Sequence, residues 1–299
     1  MAPRWLRAIP LVALGLSLSQ TPPAHALVPY TYVPQQQELE AAGLGIAQAA
    51  ARLLRLGQAE DAARLAALTV RLLPNDPRGW LLLAEAQLRS NQLKEAAASL
   101  ARAKELDPRN AGIWFAEGSL ALRDGRPAEA IGLLEQGLRL DGRSASAYFD
   151  LGNAHILTDR PAQALKAFER ASQLRKDFWE AINNQALVLY EQGRTRDAID
   201  RWRKVLGIKP DAAEPNLALA AGLFNSGAEG RQEALERAGK ALNAEPNYVL
   251  ESYQKEQLWG PRLRSTTQIL LQQAELKPYV DRAMANASPE GDLGAEPEE

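Results

Sequence analysis

The fold is decided by the stretch Ala145–Lys176, which reads ASAYFDLGNAHILTDRPAQALKAFERASQLRK. Its small and apolar residues recur at intervals of three and four, as on one face of an α-helix. The same pattern returns every 34 residues on both sides of this stretch. A period of this length predicts stacked helix pairs, because each pair can bury its apolar face only against its neighbours.

Six repeats align in phase, with starts at Gly43, Pro77, Ala111, Ala145, Trp179 and Ala213. The eighth residue of every repeat is small: Ala50, Ala84, Gly118, Gly152, Ala186 and Ala220. The twentieth is small as well, after a slip of two residues in the last repeat: Ala62, Ala96, Ala130, Ala164, Ala198 and Ala234. The fourth is bulky in most repeats: Ile46, Trp80, Trp114, Tyr148 and Ile182. Small positions facing large ones predict two closely packed helices in each repeat.

The ends of the predicted helices are marked as well. A residue that tolerates a left-handed backbone follows the first helix of each repeat: Gly57, Asn91, Gly125, Asp159, Gly193 and Gly227. Proline, which cannot continue a helix, closes the second helix in four repeats: Pro74, Pro108, Pro210 and Pro246.

These residues resemble the tetratricopeptide repeat (TPR) family over about two thirds of the chain. The resemblance implies an all-α, right-handed TPR-like solenoid of six helix pairs with a C-terminal helical cap. The six repeats would span 43–76, 77–110, 111–144, 145–178, 179–212 and 213–248. In the sixth repeat, two extra residues in the segment 227–232 predict an enlarged turn between the helices.

The segments before the repeats predict export. Residues 1–26 look like a secretory signal peptide, with Arg4 and Arg7, a short apolar run and the small-x-small site Ala24-His25-Ala26. The alternative is an uncleaved N-terminal membrane anchor. Residues 27–42 form an extension and a lead-in helix that begins at Gln35, with a possible break near Gly43.

Beyond the repeats, residues 249–286 predict two capping helices, roughly 250–258 and 263–275, with continuation of the second past Pro278 as the alternative. Leu258, Trp259 and Leu263 serve either this cap or a second docking surface, since tryptophan is common at binding hot spots. The last segment, 287–299, predicts an acidic disordered tail.

Composition narrows the function classes. The chain has no cysteine, which excludes disulfides, thiolate metal sites and cysteine nucleophiles. Residues 27–287 have a net charge of about +1, which argues against nucleic-acid binding. His155 is the only histidine after the predicted signal, and its apolar helix face predicts a buried, satisfied residue. We therefore predict no enzyme, no catalytic residue, no cofactor and no metal; an enzyme or a small-ligand-binding protein is the alternative from another class.

The family resemblance implies that positions 2, 5, 6, 9, 12 and 13 of each first helix line a concave groove. Position 13 supplies three arginines: Arg55, Arg89 and Arg123. The other predicted groove residues are apolar or amide-bearing: Leu81, Leu88, Phe115, Leu122, Phe149, Ile156, Tyr190, Asn153 and Asn183. This set predicts binding of a peptide with apolar anchors and acidic groups, because arginine holds carboxylates bidentately. A solvated charged face over an ordinary core is the alternative.

The sequence does not fit the lysine and asparagine clamp with which some TPR proteins hold a chaperone's C-terminal carboxylate. Positions 5 and 9 of the first repeat are Ala47 and Ala51, and no other repeat has the pair. We expect a non-enzymatic scaffold that binds a protein or peptide and assists an envelope or membrane complex, with membrane association only through a partner. Photosystem or thylakoid-complex assembly in the lumen is the alternative, so the predicted location is the periplasm or the lumen.

Overall fold

The computed structural model describes residues 34–224 and 228–288, without the side chains at 228 and 229. The predicted signal peptide and all but one residue of the predicted extended segment 27–34 lie outside these ranges. The predicted acidic tail lies outside them too, except for its first two residues.

The predicted all-α array of helix pairs is confirmed. The first helices of the pairs are α1 (Gln36–Arg55), α3 (Pro77–Arg89), α5 (Ala111–Arg123), α7 (Ala145–Leu157), α9 (Trp179–Glu191) and α11 (Ala213–Phe224). The second helices are α2 (Ala59–Leu72), α4 (Leu93–Leu106), α6 (Pro127–Leu140), α8 (Pro161–Leu174), α10 (Thr195–Ile208) and α12 (Ala228–Ala244). From the second pair onwards, each first helix begins at a residue that the sequence marks as the start of a repeat.

Each helix pair is held together by a small residue that faces a large one. Every alanine at the eighth and twentieth positions is fully buried. Gly118 lies against Leu134, and Gly152 lies against the ring of Phe168. A Cβ atom at these two glycines would lie 2.6 Å and 2.4 Å from its neighbour, so the helices approach too closely for a side chain.

The turns after the first helices have the left-handed backbone that the sequence predicts. Positive φ occurs at five of the six predicted positions: Gly57, Asn91, Gly125, Asp159 and Gly193. The sixth, Gly227, lies outside the described residues. The bulky fourth position also stabilises a turn in two repeats, because the indole N–H groups of Trp80 and Trp114 donate to the carbonyl oxygens of Pro74 (2.8 Å) and Pro108 (3.0 Å).

The predicted lead-in helix is confirmed as one helix, α1, which runs through Gly43 without the alternative break. Gly43 is buried, and a side chain there would collide with Leu73. One prediction about a turn was wrong. The predicted enlarged turn at 227–232 is helical from Ala228 onwards, so the extra residues lengthen α12. Glycine is required within this longer helix, since a Cβ at Gly230 would lie 2.7 Å from the carbonyl oxygen of Leu223.

The C-terminal region has three helices: α13 (Glu251–Glu256), α14 (Pro261–Leu271) and α15 (Lys277–Asn286). One 3₁₀ turn, Pro246–Val249, precedes α13, and a second, Ala274–Leu276, separates α14 from α15. The second predicted helix, 263–275, therefore ends earlier, at Leu271. Helix α15 packs against α12 and the first 3₁₀ turn, whereas α14 packs against α9 and α11. None of the described helices combines the length and apolar character that crossing a membrane requires.

Candidate functional site

The first helices of repeats two to four together line a cavity of about 660 Å³, here called the open groove. Its walls combine apolar, hydroxyl and charged side chains: Glu85, Leu88, Arg89, Phe115, Ser119, Leu122, Arg123, Asp150 and Asn153. Six of the residues that the sequence predicts for the groove therefore come together here: Leu88, Arg89, Phe115, Leu122, Arg123 and Asn153. Their side chains come from the first helices of three successive repeats, so only the stacking of the repeats assembles the site.

Two carboxyl groups in the open groove are less acidic than usual. Burial raises the pKa of Asp150 to about 6, although the Ser119 hydroxyl donates a hydrogen bond to it and Arg123 favours its charged form. Burial also raises the pKa of Glu85, although the positive charge of Arg89 acts to lower it. Both side chains are still accessible to solvent. The open groove thus combines two arginines with two carboxyl groups whose pKa values are raised.

The predicted ladder of three arginines is reduced to a pair. Arg89 and Arg123 line the open groove and also a neighbouring depression of about 410 Å³ beside the turn at 57–58 and the start of α2. Arg89 donates from Nη1 to the carbonyl oxygen of Leu54 at 3.3 Å, which fixes its direction. Arg55 is exposed but lines neither cavity.

The predicted apolar floor is only partly available to a ligand. Phe115 and Leu122 are half-buried and line the open groove. Leu88 is 5% exposed and belongs mainly to the core between repeats two and three. Leu81 packs onto the same core, and the ring of Phe149 lies against Phe168 and Phe178, with centroids 5.7 Å and 5.1 Å apart; neither residue lines the cavity.

In repeats five and six, the corresponding face is covered. The predicted groove residues Asn183 and Tyr190 are 0% and 1% exposed, so the prediction that they are free to bind a peptide was wrong. The physical reason is that α14 lies over Tyr190, while Asn183 forms a hydrogen bond with the buried side chain of Glu214 on α11. The hydroxyl of Tyr190 donates to Oγ1 of Thr266, on α14, at 3.0 Å.

We call Leu258–Leu271 the strap, since this segment runs along the first helices of the last two repeats. Its N-terminal half is held by two carboxylates. Glu191 accepts the backbone N–H groups of Arg262 (3.0 Å) and Leu263 (2.8 Å) at the start of α14, where a helix favours negative charge. Glu214 accepts the indole N–H of Trp259 at 3.0 Å, and burial raises the pKa of this carboxyl group.

The backbone of the strap lies in direct contact with the side chain of Glu191 at Gly260. A Cβ atom at Gly260 would lie 2.2 Å from the carboxyl carbon of Glu191, so glycine is required there. Leu258 has φ of 64°, which a leucine rarely adopts. The strap therefore enters the groove through a tight bend.

A smaller cavity of about 370 Å³ lies between the open groove and the strap. Its walls are mostly apolar: Ile156, Pro161, Phe168, Leu187, Val188, Leu258 and Pro261. The predicted groove residue Ile156 lies here rather than in the open groove.

His155 is buried, as predicted, at 7% exposure, and burial lowers its pKa. It is not satisfied as predicted, because its Nδ1 atom has no hydrogen-bond partner among the described residues. No group of three or more His, Asp or Glu side chains in the described part of the chain is placed to hold a metal ion.

Comparison with known proteins identifies the repeats. Two family models described as tetratricopeptide repeat match residues 53–115 and 115–177. The repeat family that the sequence predicts is therefore confirmed over 53–177. A search of curated proteins finds no match.

Several solved structures share the fold. PilF of Pseudomonas aeruginosa is 21% identical with a TM-score of 0.61, over 73% of this chain and 98% of that one. A chain of the APC/C hetero-tetramer Cut9–Hcn1 is 14% identical with a TM-score of 0.63, over 84% and 46%. YrrB, described as a TPR protein with an unusual peptide-binding site, is 23% identical with a TM-score of 0.50, over 65% and 99%.

Proposed function

We propose that this chain, which carries tetratricopeptide repeats over residues 53–177, is an interaction scaffold that binds a segment of a partner protein in the open groove. The observation that carries the proposal is the cavity of about 660 Å³, a volume within the size range of ligand sites. Three helices line this cavity and place two arginines beside Phe115. The description of YrrB as a peptide-binding TPR protein supports this use of the fold.

The side chains of the open groove define the chemistry of the segment. Arg89 and Arg123 would hold acidic side chains, because a guanidinium group can bind a carboxylate through two parallel hydrogen bonds. Phe115 and Leu122 would contact an apolar side chain. Asp150 would accept a hydrogen bond from the segment's backbone or from a hydroxyl group.

This function needs no catalysis. The only histidine of the described residues is buried in the array, and the titratable groups of the open groove are placed to recognise charge. An enzyme or a small-ligand-binding protein remains the alternative. The cavity of about 370 Å³ next to the strap is the place where a small apolar ligand would bind.

We place this scaffold in an exported location, on the basis of the signal-like residues 1–26. There it would assist assembly or organisation of an envelope or membrane complex, and would reach the membrane through its partner. A role in assembling thylakoid complexes in the lumen is the second candidate for the same activity.

The test uses the arginine that the structure places outside the open groove. A random peptide library is selected on the full-length protein, and the affinity of the best peptide is measured by calorimetry. The double variant Arg89→Glu, Arg123→Glu should lose at least about ten-fold in affinity, since like charges then face the acidic peptide. Arg55→Glu is the matched control and should bind within about two-fold of the wild type. Equal losses in both variants, or no loss in the double variant, would refute the proposed site.

A further inference from the structure

We propose that repeats five and six form a second docking surface, which the strap fills as an intramolecular ligand. The partner that fits is a protein segment with the strap's own chemistry: an indole, then glycine and proline, then a helix that begins with a basic residue. This surface is separate from the open groove, so an experiment can refute one of the two proposed sites and leave the other standing.

The first step in the argument is the position of the strap. It contacts Tyr190 and Glu191 on α9 and Glu214 on α11. These residues stand at positions 12, 13 and 2 of their repeats, and position 13 supplies Arg89 and Arg123 to the open groove. The strap thus occupies the face that repeats two to four leave uncovered.

The second step is the nature of the contacts, which are those of a bound peptide. Directional contacts hold the start of the strap, and the guanidinium group of Arg262 lies over the ring of Tyr190 at 4.9 Å. Apolar contacts hold its body, where Trp259, Leu263 and Leu270 are at most 2% exposed. Together these contacts specify both the sequence and the direction of the segment.

The third step is that the strap is bound imperfectly. In the strap, Oγ1 of Thr267 and Nε of Arg264 are buried without a hydrogen-bond partner in the described residues, and on α9 so is Oδ1 of Asn183. Buried polar groups without partners weaken an interface. The backbone at Leu258 adds strain where the strap enters the groove. A partner segment with better-satisfied contacts could therefore displace the strap.

The fourth step separates the strap from the cap of the array. Helix α15 packs on the last repeat helix, where the ring of Tyr279 lies about 3.1 Å from the position of a Cβ on Gly239. Leu276 and Ala283 are buried at this contact. The end of the solenoid at α12 is therefore covered by a helix outside the strap.

The experiment uses the full-length protein and releases the strap by a substitution that adds one methyl group. Gly260→Ala places a Cβ on the carboxyl group of Glu191, whereas the control Gly207→Ala adds the same atom where nothing lies within 4 Å. The probe is a fluorescently labelled peptide with the sequence LWGPRLRSTTQILL (258–271). Fluorescence anisotropy measures its affinity, and hydrogen exchange reports separately on the strap and on helices α9 and α11.

In Gly260→Ala, we expect faster hydrogen exchange in the strap and unchanged protection in α9 and α11. The peptide should bind Gly260→Ala at least about ten-fold more tightly than wild type or Gly207→Ala, because a site that the strap already occupies has a lower apparent affinity. A peptide with alanine at the position of Gly260 should bind at least about ten-fold more weakly.

Three results would overturn the proposal. Loss of protection in α9 and α11 would make the strap an integral part of the fold. A released strap without peptide binding would show that the surface is not a docking site. Unchanged exchange in the strap would show that it is not displaceable.

Discussion

Adding one methyl group at Gly152 should destabilise the protein, although alanine is the better helix former. The new Cβ would lie 2.4 Å, 2.6 Å and 2.7 Å from three ring atoms of Phe168, distances that real Cβ contacts essentially never reach. The ring cannot move aside, because it is fully buried and packs against the ring of Phe149. Helices α7 and α8 must therefore separate.

The magnitude follows from two opposing effects. Overpacking a core costs about 1–3 kcal/mol. Replacing a glycine inside a helix by alanine contributes about 0.5–1 kcal/mol in the other direction. The difference is a loss of up to about 2.5 kcal/mol, and we expect about 1–2 kcal/mol for Gly152→Ala because the buried ring of Phe168 cannot relax. The control Gly132→Ala, in α6 with nothing within 4 Å of its Cβ, should gain about 0.5–1 kcal/mol.

The assay is urea unfolding followed by circular dichroism, with the midpoints of the two variants compared at a shared slope. Repeat arrays can lose cooperativity, so coincidence of circular dichroism and tryptophan fluorescence is the check on the two-state treatment. If Gly152→Ala is as stable as Gly132→Ala, the close packing of small and large residues does not hold the helix pair together as argued.

Three further predictions concern the open groove and the turns. Because the pKa of Asp150 is raised to about 6, the folded state favours the neutral carboxyl group: its contribution to the free energy of unfolding is full below about pH 4 and is lost as the pH rises through 6. Asp150→Asn should therefore raise the free energy of unfolding at pH 7.5 by about 1–2 kcal/mol and flatten the pH dependence of thermal unfolding. Gly137→Ala puts a Cβ 2.5 Å from the ring of Phe115, so it should push that ring into the open groove and weaken binding of the selected peptide about three-fold or more in calorimetry. Trp114→Phe removes the hydrogen bond to the carbonyl of Pro108 and should cost about 1 kcal/mol in urea unfolding.

The sequence predicts the array of helix pairs well because the contacts that form each pair lie close together in the chain. The alanines at the eighth and twentieth positions predict contacts within one helix pair, and Asn91 and Asp159 predict left-handed turns at their own positions. The open groove was predicted in part for the same reason, since Arg89 and Arg123 recur at one position of a repeated helix.

The errors lie where distant parts of the chain meet. Tyr190 and Asn183 have the helical positions of groove residues, but no local pattern shows that both are buried or that α14 covers Tyr190. The one local signal of this contact is Trp259-Gly260-Pro261, since glycine permits a close backbone approach and proline begins a helix well.

The sequence by itself therefore determined the helix pairs, their period and the side chains that recur along one face. The tertiary structure alone decided which part of that face is open. Glu191 binds backbone groups 71 and 72 residues further along the chain. The free energy of such a contact depends on burial and geometry after the repeats have stacked, and this arrangement has no periodicity that a sequence could display.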